Sequence, residues 1–113
     1  MNFLLIVFLM LMQSPQSPRV VEVSAKRFEF NPKEIHLKAG EPVTIRLVAT
    51  DHAHGLLVKP LGIDLDAKPD SPAEITITPD AEGTFNAICD HYCGVGHGNM
   101  KMKFIVANPA GTP

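Results

Sequence analysis

Cys89, Cys93, His97 and Met100 lie within the twelve residues CDHYCGVGHGNM, spaced Cys-x3-Cys-x3-His-x2-Met. Two thiolates, an imidazole and a thioether are thereby confined to a segment that one loop can wrap around a centre. Thiolate and thioether ligands favour copper, and imidazole accepts it. Four of the five histidines fall in two places, His52 and His54 in ATDHAHG and His91 and His97 in the loop itself. One Cys, two His and a weak axial Met describe a single copper ion, and the second thiolate supplies ligands for another. Two other chemistries remain open on these residues. Cys89, Cys93, His97 and His54 can close a tetrahedral zinc site, which leaves Met100 without a role. Outside the cytoplasm, Cys89 and Cys93 can also simply oxidise to a disulfide.

The segments that must position these ligands read as short strands. Ile35 and Leu37 alternate with Glu34, His36 and Lys38, and Val43, Ile45 and Leu47 alternate with Thr44 and Arg46. This period of two marks half-buried strands. Ala39-Gly40-Glu41-Pro42 is the turn between them. Ile75 and Ile77 alternate with Thr76 and Thr78, and 79–83 turn the chain into a strand over Thr84–Cys89. There Phe85, Ala87 and Cys89 share a face, so an inward Phe85 and Ala87 deliver Cys89 inward at the strand end. Met102, Phe104 and Val106 alternate with Lys101, Lys103 and Ile105 in a closing strand, which makes the Cys89–Met100 loop a link between two neighbouring strands. His52 and His54, two apart, face the same side of an extended segment and either can reach a metal. His36 is an outward, solvated side chain. Six to eight strands with turn signals at this density predict an all-β, Greek-key β-sandwich or barrel.

Phe3–Met12 is a run of ten apolar residues followed by QSPQSP. It is too short to span a bilayer, which takes roughly 20 residues, and suits the apolar core of a signal peptide, although a basic n-region and a small-x-small cleavage site are missing. We therefore read residues 1–18 as a signal peptide or N-terminal membrane anchor and 19–113 as one domain, exported to the periplasm or held at the outer face of the cytoplasmic membrane. The net charge of −2 argues against a nucleic-acid partner, which selects a basic surface. The chain has no Ser/His/Asp arrangement and no evident paired-carboxylate pocket, so it does not read as an enzyme.

The loop resembles the dinuclear copper loop of CuA-type cupredoxins, the soluble copper domain of cytochrome c oxidase subunit II and of nitrous oxide reductase. Asp51-His52-Ala53-His54, Pro60-Leu61-Gly62-Ile63-Asp64 and Asp66-Ala67-Lys68-Pro69 are similar to the subunit II stretch that carries the upstream histidine ligand. Phe28-Glu29-Phe30-Asn31-Pro32 and Leu37-Lys38-Ala39-Gly40-Glu41-Pro42 resemble the opening strands of cupredoxins. The resemblance implies a cupredoxin-like fold and two copper ions per chain, bridged by Cys89 and Cys93. His54 and His97 become the terminal imidazoles, Met100 the weak axial ligand on one copper, and the backbone carbonyl of His91 its counterpart on the other. His52 is then a partly exposed neighbour of the site. It further implies one-electron transfer between a donor and an acceptor redox protein, among them cytochrome c-like proteins and terminal oxidases. The alternative is a periplasmic cupredoxin that stores or delivers copper.

Two departures from subunit II matter. The aromatic residue that receives electrons from cytochrome c is absent from His54-Gly55-Leu56-Leu57, and the chain contains no Trp. His91 also stands where subunit II has Glu. Because an imidazole titrates near neutrality, the reduction potential is expected to vary with pH. Voltammetry from about pH 5 to 8 checks this; a flat profile, or the same slope in His91→Ala, excludes the effect.

Overall fold

The computed structural model describes residues 17–27, 29–89 and 100–108, and among these nine strands form, most of them where apolar and polar residues alternate. They are β1 (Arg19–Lys26), β2 (Glu29–Asn31), β3 (Glu34–Lys38), β4 (Val43–Ala49), β5 (His54–Val58), β6 (Ile63–Ala67), β7 (Ala73–Ile77), β8 (Gly83–Ile88) and β9 (Lys101–Ala107). One sheet has the order β2-β1-β4-β7 and the other β3-β9-β8-β5-β6. β1 runs parallel to β4 and β3 parallel to β9, while the other pairs are antiparallel. The all-β sandwich expected from the sequence is what the chain forms. Residues 1–16, which hold most of the segment expected to be a signal peptide or anchor (1–18), lie outside the described residues, among which no helix is long and apolar enough to cross a membrane.

Alternation decides which side chains enter the core. On β4, Val43, Ile45, Leu47 and Ala49 are buried, and on β9 Met102, Phe104 and Val106 are buried while Lys101 and Lys103 are exposed. Val23, Phe30, Ile45 and Leu47 from the first sheet join Leu37, Leu56, Ile63 and Phe104 from the second in one apolar cluster. His36 points outward, as expected, with Glu34 3.5 Å away. Gly40, with φ 82°, makes the turn between β3 and β4 in the left-handed region that its missing Cβ opens. Strands β1, β2, β5 and β6 are not among those expected from the sequence. β2 is only three residues long, and β5 is buried at four of five positions, which hides any period of two.

Phe104 is fully buried on β9, between β3 and β8. Phe104→Ala is expected to cost about 3–5 kcal/mol, from lost transfer energy and the cavity left behind. Urea unfolding should show this as a lower midpoint at unchanged slope.

Candidate metal centre

β8 and β9 hold the two ends of the loop. Phe85 and Ala87 face inward on β8, so Cys89, the next inward position, is nearly buried just beyond the strand. Its backbone N–H donates to the Met100 carbonyl at 3.3 Å, which brings the first and last residues of the segment side by side. Met100 is completely buried immediately before β9, where Lys101 pairs with Ile88. Two of the four loop ligands thus enter the interior through ordinary strand alternation.

His54 comes from the other side. It opens β5, opposite Ala67 of β6, and its imidazole is buried. Nδ1 lies 4.0 Å from the Cys89 sulfur, and Nε2 lies 2.6 Å from the Asp51 Oδ1. An ionised carboxylate only accepts, so Nε2 carries the proton and donates it to Asp51, leaving the Nδ1 lone pair aimed at the sulfur. Bonds of roughly 2.3 Å to sulfur and 2.0 Å to nitrogen, as for zinc, allow one ion to touch both atoms at this separation. Once Cys89 is a thiolate, it would form with the His54 imidazole and the buried Met100 thioether a donor set that fits a soft metal.

Asp51 was not singled out in the sequence, although an acid three residues before a ligand histidine was there to be noticed. Its carboxylate accepts from the backbone N–H of Arg27 at 2.7 Å and of His52 at 2.8 Å, besides the His54 ring. Partial burial works against ionisation, but the His54 hydrogen bond and the two amide donors outweigh it and hold the carboxyl well below the usual carboxylate range. The folded pKa is lowered, so the stabilisation is present above the unfolded value near 4 and disappears as pH falls toward the folded one. Asp51→Asn should therefore be less stable at pH 7 by about 1 kcal/mol. Chemical denaturation in strong acid should find the gap closed.

His52 stacks on His54, with ring centroids 4.3 Å apart and planes inclined by 30°. Its Nδ1 donates to the Ala53 carbonyl at 2.9 Å and its Nε2 accepts from Arg27 Nε at 3.1 Å. Donor atoms of Asp51, His52 and His54 lie within 4.8 Å of one another. These atoms already satisfy one another and Arg27: Asp51 orients the His54 ring, and His52 lies against that ring from the surface. Among the described residues no buried side-chain N or O lacks a partner.

Of the six expected ligand residues, the structure brings His54, Cys89 and Met100 to one end of the sandwich. His91, Cys93 and His97 lie outside the described residues. Cys89 is disulfide-bonded here, and metal binding at that sulfur requires the thiolate.

The cupredoxin-like domain family matches residues 1–106. Cytochrome c oxidase subunit 2 of Thermus thermophilus is 28% identical over 94 residues, covering 83% of this chain and 70% of that protein. Nitrous-oxide reductase of Cupriavidus necator is 28% identical over 90 residues, 76% of this chain but only 14% of the reductase. In three dimensions the periplasmic domain of cytochrome oxidase subunit II from Bradyrhizobium japonicum superposes with a TM-score of 0.74 at 15% identity, covering 87% of this chain and 90% of that domain, and so shares the fold. The two-sheet sandwich and these relationships agree: the chain belongs to the cupredoxin-like domain family, with homology to the copper domains of cytochrome c oxidase subunit II and nitrous-oxide reductase.

Proposed function

We propose that the domain is a stand-alone electron-transfer protein that holds two copper ions between Cys89, Cys93, His54 and His97, with Met100 and the His91 carbonyl as weak outer ligands. One observation carries this reading. Cys89, the first ligand of the sequence Cys-x3-Cys-x3-His-x2-Met, has its sulfur 4.0 Å from the buried Nδ1 of His54, and its backbone N–H donates to the carbonyl of Met100, the last ligand of that sequence. When bound, such a pair would accept and return one electron with little change in geometry. The protein's own contribution is to orient and to exclude water: Asp51 sets the His54 tautomer, and burial of His54, Cys89 and Met100 keeps the site dry. No open ligand position for a substrate is implied, so the domain turns nothing over itself.

The relatives are an oxidase subunit and a reductase. For this chain we infer one-electron protein partners outside the cytoplasm. Copper reconstitution followed by optical and paramagnetic resonance spectra tests the reading. Two coppers per chain sharing one unpaired electron, with hyperfine coupling to both nuclei, is the expected result. A single blue copper, or preference for zinc, overturns it.

A further inference from the structure

We propose that His52 is the contact through which the site exchanges electrons with a partner redox protein, which docks on the surface formed by Arg27 and His52. The inference rests on the electron-transfer reading above and adds the crossing point.

The His54 side chain is 0% exposed, so no partner can touch it directly. The His52 side chain is 29% exposed, and its ring lies against His54 with centroids 4.3 Å apart. His52 thus makes one unbroken contact from solvent to the buried imidazole. Both of its nitrogens are engaged, by the Ala53 carbonyl and the Arg27 guanidinium, which holds the ring in the stack. The Asp51 carboxylate fixes the other ring of the pair through His54 Nε2. Core packing does not call for this arrangement, because His52 lies at the surface and belongs to no part of the apolar cluster.

The step balances simply. A one-electron partner is oxidised by one electron and the site is reduced by one. No bond forms or breaks, no proton moves, and the imidazole of His52 keeps its own oxidation state. A partner whose redox group reaches its surface, such as the edge of a c-type haem, fits a contact this small.

The test uses copper-loaded protein with ferrocytochrome c as the probe, comparing wild type, His52→Ala and His52→Phe by stopped flow. His52→Ala should slow electron exchange several-fold while the optical spectrum and reduction potential stay at wild-type values. His52→Phe, which keeps a flat ring against His54, should recover most of the rate. A second readout involves no electron transfer. In the fully reduced, diamagnetic pair, the amide shifts that cytochrome c perturbs should centre on Arg27 and His52. Wild-type rates in His52→Ala, a His52→Phe as slow as His52→Ala, or perturbations centred instead on Ile88, Lys101 and Lys103 would each overturn the proposal. Failure of the parent reading is separately visible, since wild-type protein would then lack the two-copper spectrum before any variant is compared.

Discussion

Cys89→Ser is expected to abolish the paired-copper spectrum, lowering the metal content from two ions per chain to at most one. The serine hydroxyl stays protonated and is a hard oxygen donor, whereas the proposed copper site would need a soft thiolate at this position. Size is not the reason for the loss, because Ser nearly matches Cys in volume. The substitution places a hydroxyl at a nearly buried position, and a poorly satisfied one costs about 1–3 kcal/mol. The variant should therefore still fold, with a modestly lower melting temperature, and the far-UV spectrum of the metal-free form should match wild type. Metal analysis and paramagnetic resonance decide the matter. A Cys89→Ser protein that keeps coupling to two copper nuclei would remove Cys89 from the centre altogether.

Reduction of the protein should gate copper loading. Cys89 is disulfide-bonded in this fold, and a disulfide sulfur cannot supply the thiolate that a soft metal needs. Oxidised protein should take up little copper and melt at the same temperature with or without it. Reduced protein should load and become more stable by mass action. At free copper a hundredfold above Kd, the gain is about 2.7 kcal/mol, or roughly 10–20 °C for a domain of about this size. Scanning calorimetry on both redox forms, with and without copper, checks this directly. A melting curve for reduced, loaded protein that matches the metal-free one would mean that copper does not bind the folded chain. Equal shifts for both redox forms would place the binding site away from Cys89.

The two experiments separate ligand identity from ligand availability. Cys89→Ser removes the thiolate permanently, while oxidation withholds it reversibly. Agreement between them would tie copper uptake to this one sulfur. The Asp51 network acts on a different property: it sets which His54 nitrogen carries the proton and so should alter stability and orientation more than metal preference.

Much of this molecule could be read from residue order alone. Strands β3, β4, β7, β8 and β9 follow from strict alternation, because a strand with one buried face must repeat every two residues. The inward delivery of Cys89 followed from the same rule, since Phe85, Ala87 and Cys89 are spaced by two. The soft-metal chemistry of the loop followed from residue types within twelve positions. Such features are local, and local sequence carries them.

Other features depend on residues far apart in the chain, and only the folded sandwich decides them. His52 and His54 were equivalent by spacing. Their different fates arise because the Cys89 sulfur, 35 residues away, meets the Nδ1 of His54, while Arg27, 25 residues before His52, holds that second ring at the surface. Asp51 has no role that its spacing reveals; the Arg27 backbone and the His54 ring close around it only in the fold. Strand β5 hid its period because both faces are covered. The sequence by itself determined the donor chemistry and the face of each alternating strand. The tertiary structure decided which histidine is buried, which nitrogen it offers and which ring connects it to solvent, because each depends on contacts that form only when the two sheets close on each other.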